Sequence, residues 1–392
     1  MYKQFINGQF IIYNKKSHLF ELYSGNMLVK SGRVKRFTNR FKKDVETTDL
    51  QGGICFPALI NAHLHLGETL FRPLPHKMTL LEYINYTELK NKEFGDRKQL
   101  LWEESAHETI QESIRSGVLS VNTIRGQELL SQYEIQALSG YPIMKSEKLK
   151  KFCDSGLLGY KQFYEDCIKR QIRPGVFFHS FYMNDENSFN LAKKCAKFKK
   201  SFFATHIAED KESEAKVEKI WGNRSLELLK ISKLLSKKSI LVHGNFLDKD
   251  ELCEVAKFGA NLVVCPASAD TLNTQIQDVL LLENLKINWC IASDGLASGK
   301  SANLLEQTKV LVRDDVDLQM VLRAITVNPA KALGLKGEIL GLNSKANFIV
   351  FDSFKFNGFN ELLKSILLNN KPIKSVYNKG NHAEEELQRS AL

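Results

Sequence analysis

Eight short runs rich in β-branched and aromatic residues recur along the chain, with longer stretches of helical period among them. That alternation confines the chain to a repeating strand–helix architecture. The runs are "GICFPALINAHLH" (Gly53–His65), "VLSVNTI" (Val118–Ile124), "YPIMKS" (Tyr141–Ser146), "RPGVFFHSF" (Arg173–Phe181), "KSFFATHIAE" (Lys200–Glu209), "KSILVHGNF" (Lys238–Phe246), "ANLVVCPAS" (Ala260–Ser268) and "INWCIASDG" (Ile287–Gly295). Segments such as "DKDELCEVAKF" and "SANLLEQTKVLV" supply the helices. Eight such units in about 290 residues fit a closed (β/α)8 TIM-type barrel better than an open sheet.

The two ends of the chain read differently. "FINGQFIIY" and "NMLVKSGRVKRF" alternate apolar and polar residues around Asn-Gly and Ser-Gly turns, and short strands return in "ILGLNSKANFIVFD" and "IKSVYNKGN". Residues 1–54 and 340–392 are therefore expected to meet in a small β-sandwich-like domain flanking a barrel of residues 55–339. The final "HAEEELQRSAL" is polar and expected to fray.

Composition narrows the class. Hydrophobic residues make up 43% and charged residues 26% of the 392 residues, ordinary values for a globular protein. No apolar run approaches the roughly 18–20 residues that span a bilayer, and the first residues show no apolar leader core. A cytoplasmic location without membrane attachment is the expectation. The seven cysteines are scattered with no CxxC pair, which argues against a disulfide framework or a structural zinc cluster. The net charge of +10 comes largely from lysines in clusters such as "KKCAKFKK", which read as solvated helix faces. Arginines interleaved with aromatics on one face, the mark of a nucleic-acid surface, are not visible, so no nucleic-acid partner is expected.

The polar residues at the ends of the runs point to chemistry. His63 and His65 close run one, His179 run four, His206 run five, His243 run six and Asp294 run eight. In a barrel these strand ends converge on the face where active sites form. One such histidine alone is readily a hydrogen-bonded core residue; six metal-competent or acid–base residues at five strand ends are hard to explain as packing. Residues i and i+2 of a strand share a face, so His63 and His65 can grip one ion together. With a histidine from another strand and a carboxylate they can hold a divalent metal and leave room for water; zinc suits these ligands and iron is the alternative. Run four offers no lysine to bridge a second ion, so a single metal is expected. Glu209, three residues after His206, is either a proton shuttle or an acid at a helix start. His243 could orient the attacking water.

"PALINAHLH", "HIAED", "VHGNF" and "SDG", in this order and spacing, resemble the amidohydrolase superfamily, and more narrowly its branch of cytosine, guanine and adenosine-type deaminases and triazine chlorohydrolases. The resemblance extends from "NGQFIIY" through "AITVNPAKALGL" to "ANFIVFD". It implies metal ligands at His63, His65, His206 and Asp294, a Glu209 that protonates a ring nitrogen, a His243 that assists the water, and an Asp294 that also takes that water's proton. It implies that His179, in a His-x-x-Tyr segment, faces substrate. The sequence departs from the usual pattern at Pro57-Ala58, a pair found in enzymes resembling the aminodeoxyfutalosine deaminases, and at Ala269, Gly299 and Glu68. These positions line or support the substrate pocket, and Glu68 and Ser268 are expected at the substrate.

Hydrolytic deamination of an amino-substituted nitrogen heterocycle is thus the leading expectation, with water as co-substrate. The preferred substrate is an adenine-type nucleoside: adenosine, S-adenosylhomocysteine or an aminodeoxyfutalosine-like compound. Glu82, Glu88 and Glu93 are candidates for its ribose hydroxyls. Deamination of a free base such as guanine or cytosine, triazine dechlorination, cyclic amide hydrolysis and an inactive binding scaffold follow in that order. A homodimer is expected by analogy with such folds. "HAE" at His382–Glu384 lacks the following PCxxC of cytidine deaminases.

Overall fold

The computed structural model describes residues 1–146, 149–312, 316–369 and 371–383. The fraying expected of the C-terminal stretch falls mostly on 384–392, outside the described residues. Eight parallel strands form the central layer: β1 (Leu59–His65), β2 (Val118–Ile124), β3 (Gln136–Ile143), β4 (Arg173–Phe178), β5 (Phe202–Ile207), β6 (Ser239–His243), β7 (Asn261–Val264) and β8 (Asn288–Ile291, resuming at Asp294–Gly295). Each pairs with the next in chain order. The second piece of β8 pairs with β1, Asp294 opposite Leu64 and Gly295 opposite His65, and closes the barrel. Among the described residues no helix is long and apolar enough to cross a membrane.

The chain ends interleave in a separate eight-stranded sheet. At its centre Tyr2–Asn14 runs antiparallel to Leu19–Lys30 and parallel to Ile54–Pro57, which in turn pairs antiparallel with Phe348–Phe351. Phe5, Phe10, Met27 and Phe348 pack its face, with Phe348 stacked on Tyr377 at a centroid distance of 4.8 Å. The first run of the sequence therefore divides. Ile54–Pro57 belongs to the chain-end sheet, and the barrel begins at Leu59. The third strand also starts upstream of Tyr141, at Gln136. Gly140 weakens its strand signature, yet a Cβ there would crowd the Phe177 backbone and Cβ, so a glycine is needed for β3 and β4 to pack.

Inward and outward residues alternate along the strands. Phe177, Ala204, Val242 and Cys290 fill the barrel interior, while Val121, Phe203, Leu241 and Trp289 face the helices. Strand β1 breaks this parity. Ile60 and Ala62 belong to the interior and Leu64 to the outer layer, so the register irregularity between Asn61 and Leu64 is what turns both His63 and His65 inward. A bulge that re-aims side chains beside a site is a recurrent use of that defect.

Gly175 marks the tightest strand contact: a Cβ on it would overlap the buried Phe202 ring. Gly175→Ala is expected to destabilise the fold by about 1–3 kcal/mol, the cost typical of overpacking. Chemical denaturation checks this, and Phe202→Leu in the same chain should recover part of the loss.

Candidate metal centre and active site

The three histidines of β1 and β5 turn toward one point. Their Nε2 atoms are mutually spaced at 3.0 Å (His63–His65), 3.1 Å (His63–His206) and 3.3 Å (His65–His206). Asp294 Oδ1 lies 3.2 Å from His63 Nε2 and 3.3 Å from His65 Nε2. One ligand atom from each of the four residues falls within 4.8 Å of all the others. Burial holds the imidazoles of His63 and His206 below their usual pKa range, so both are neutral with a lone pair to give. Four converging donors, three imidazole nitrogens and one carboxylate, fit a divalent cation.

Local backbone is bent to make this arrangement. Ala208, His243 and Asp294 sit at φ of 44°, 70° and 62°, left-handed values unusual for residues with a Cβ. Each costs on the order of 1–3 kcal/mol. His243 is the last residue of β6, where the parity of the strand would otherwise send it outward after the inward Val242. Its Nε2 instead lies 3.5 Å from Glu209 Oε1 and 4.0 Å from Asp294 Oδ2.

The two carboxylates are driven apart. Burial, and then the charge of Asp294, hold Glu209 well above the usual carboxylate range. Burial acts on Asp294 in the same sense, but His65, His63 and His243 outweigh it and hold that group well below. Burial also lowers His243 to about 4, and burial with His65 lowers His179 to about 3. The environment thus pushes the two carboxyl groups in opposite directions, Glu209 toward its protonated form and Asp294 toward its ionised form, with His243 between them. Two donors fix the loop that carries Glu209: Asn245 Nδ2 and Thr274 Oγ1 reach its backbone carbonyl at 3.0 and 3.1 Å.

These groups form the floor of a cavity of about 620 Å³, to which His65, Glu68, His179, His206, Glu209, His243 and Asp294 all contribute. Helix α1 (Leu80–Phe94) and the start of helix α2 (Lys98–Arg115) form one wall. Ser268 is placed otherwise than the sequence suggested. The helix that begins at Pro266 turns it behind Asp294, fully buried and off the cavity lining, where its hydroxyl donates to Asp294 Oδ2 at 2.7 Å. Of the three ribose candidates only Glu88 lines the cavity; Glu82 caps the start of α1 through Thr79 and Glu93 pairs with Lys90. Several lining residues carried no sequence signal. Phe177 stacks under His63 at 5.5 Å, Ser298 stands next to Ser268 at 3.0 Å, and the Arg125 guanidinium lies 4.0 Å from the centre of the Trp102 ring system. Among the described residues Arg125 has no side-chain hydrogen bond, and burial lowers its pKa to about 10.

The sequence profile of the Amidohydrolase family matches residues 54–382. The 5-methylthioadenosine/S-adenosylhomocysteine deaminase of Pyrococcus furiosus is 27% identical over 358 residues, 86% of this chain and 83% of that protein. The enzyme of that name from Aquifex aeolicus is 24% identical, over 84% of this chain and 80% of its own. In structure, a zinc-bound adenosine deaminase from Xanthomonas campestris superposes with a TM-score of 0.84 at 18% identity, over 99% of this chain and 98% of its own. A guanine deaminase from C. acetobutylicum does so with 0.84 at 17% identity, over 98% and 100%. The barrel, the chain-end sheet and the profile spanning most of the sequence lead to one conclusion: the chain belongs to the amidohydrolase family.

Proposed function

We propose that the chain is a zinc-dependent hydrolytic deaminase of an adenine-type nucleoside. The observation that carries this reading is geometric: Glu209 lies buried in the cavity, 3.5 Å from His243, beside the three-histidine, one-aspartate donor set. The relatives named for deamination of methylthioadenosine and S-adenosylhomocysteine support it. Zinc bound by His63, His65, His206 and Asp294 would lower the pKa of water at the site, to about 7 in favourable cases.

The chain's own residues supply the proton traffic. Asp294, held ionised by the imidazoles around it, accepts a proton from water as its oxygen attacks the ring carbon that bears the amino group. His243 is neutral and within reach of both carboxylates, and orients that water. Glu209 gives its proton to the adjacent ring nitrogen, so that the ring carbon becomes tetrahedral without building charge on the heterocycle. Asp294 then returns its proton to the amino group, which leaves as ammonia as the C–N bond breaks, while Glu209 takes the hydroxyl proton, so that a ring carbonyl forms and both carboxyl groups regain their starting states. His179 and Phe177 flank the position of the ring.

A cavity of about 620 Å³ is larger than a free base needs, and Arg125 is among the residues that line it. We assign that guanidinium to an anionic group at the end of the nucleoside's 5′ substituent, as in S-adenosylhomocysteine. The Arg125 guanidinium lies 4.0 Å from the centre of the Trp102 ring and lines the cavity.

Ammonia release by the zinc-loaded protein against adenosine, methylthioadenosine, S-adenosylhomocysteine, guanine and cytosine tests the reading. An adenine nucleoside should turn over, and Glu209→Gln should lower kcat by about 10²- to 10⁴-fold. Silence on every adenine nucleoside from protein that holds zinc would sink it. The metal should be present at about one ion per chain and be lost in His63→Ala with the far-UV circular dichroism retained. Arg125→Ala should lower kcat/KM for S-adenosylhomocysteine by about 10- to 100-fold, the worth of a charged hydrogen bond, and leave methylthioadenosine nearly unaffected. Because the pKa of Glu209 is raised, its proton is in place below that value and lost above it. The pH profile of kcat/KM should therefore fall on the alkaline side, with no loss near pH 4–5 assignable to Glu209.

A further inference from the structure

Glu68 is committed at both oxygens. Oε1 accepts from His65 Nδ1 at 2.7 Å, and Oε2 accepts the Tyr83 hydroxyl at 2.8 Å. An imidazole that donates through Nδ1 presents its lone pair at Nε2, and His65 Nε2 is the atom that faces His63, His206 and Asp294. Room for the carboxylate is made across the barrel closure, because a Cβ on Gly295 would overlap it. By contrast His206 Nδ1 is buried with no hydrogen-bond partner among the described residues. Of these two ligands, His65 is the one whose outer nitrogen is held by an acid.

The second oxygen reaches a different part of the molecule. Tyr83 belongs to α1, which has no buried residue and forms a wall of the cavity. The other side-chain hydrogen bonds of α1 stay within the helix and its cap: Thr79 with Glu82, Thr87 with Ile84, Asn91 with Thr87 and Lys90 with Glu93. Among the described residues the Tyr83–Glu68 bond is the one that ties an α1 side chain to the barrel.

We infer that Glu68 is a positioning residue: it fixes His65 as the Nδ1–H tautomer and, through Tyr83, anchors α1 over the cavity. Seating of the wall helix and retention of the metal thus both draw on the one carboxylate, each through its own oxygen. The inference rests on the metal centre proposed above, and it replaces direct substrate binding as the role of Glu68.

Zinc affinity of the full chain, read by chelator competition without substrate, tests it. Glu68→Met keeps the length and removes the acceptor; it should weaken zinc binding by about 10- to 100-fold, the usual effect of losing such a partner. Glu68→Gln retains an oxygen acceptor and should stay closer to the wild type. Tyr83→Phe should leave zinc affinity within about threefold, since the His65 bond persists, yet speed tryptic cleavage at Lys90 and Lys92 of α1. Glu68→Ala repeats the comparison should the thioether disturb folding. Zinc affinity unchanged in Glu68→Met and Glu68→Ala, with only KM for the nucleoside raised, would overturn the inference and make Glu68 a substrate ligand. A wild-type chain that binds no zinc would instead overturn the metal centre itself, and the inference with it.

Discussion

Two residues, Asp294 and Gly295, pair with Leu64 and His65, and the rest of the molecule depends on that short ladder. It closes the barrel and sets a carboxylate beside an imidazole 231 positions away in the chain. Strand β8 reaches β1 only after a break at Ala292 and Ser293, which Asn61 spans. Its Nδ2 donates to Ser293 Oγ at 2.7 Å, and its Oδ1 accepts from the backbone N–H groups of His63 and Ser293. A buried amide with its bonds satisfied on both strands holds the geometry where an apolar residue could only fill space. Barrel closure and assembly of the donor set are consequently one event.

That coupling explains why the strain is concentrated where it is. Left-handed backbone at Ala208, His243 and Asp294 raises the energy of three strand ends, and three imidazoles crowd with their Nε2 atoms at hydrogen-bond distance. Such an arrangement persists when the surrounding core over-determines it. Here the interior layer of Phe177, Phe202, Val242 and Cys290 lies beneath and the helices pack behind. The same burial gives the floor its chemistry. Low polarity raises Glu209 and lowers His243, while the nearness of the histidines keeps Asp294 ionised. One environment thus yields an acid and a base a few ångströms apart.

The strand ends that carry the candidate metal donors were legible in the sequence because a histidine closing a β-branched run is a local pattern, and the closed barrel turns that pattern into convergence. Other features were not local. The bulge at Asn61–Leu64 cannot be read from "LINAHLH", where simple alternation keeps Ile60, Ala62 and Leu64 on one face and the histidines on the other. The whole set could have been turned in either direction. The start of β3 was hidden by Gly140, whose low strand propensity is outweighed by its packing against Phe177. Ser268 was expected at the substrate, yet an immediate Pro266 helix turns it behind Asp294. Glu82 and Glu93 looked equivalent to Glu88; only helix phase and capping, set by where α1 begins, separate them.

Function divides along the same line. The candidate metal donors His63, His65, His206 and Asp294 sit on strands whose positions the hydrogen-bond ladder dictates, so their placement tolerates little variation. Arg125, Tyr83, Glu88 and Trp102, which shape the cavity beyond the floor, lie on helices and loops that the ladder does not constrain. An arginine after a strand is unremarkable in a chain of net charge +10, and nothing local marks it as a wall residue. A family can therefore keep one reaction on the strand ends while changing its substrate through the wall. The Glu68–Tyr83 bond runs against that separation: it joins a wall helix to a strand-end histidine, so the part of the site free to vary is tied here to the part that is not.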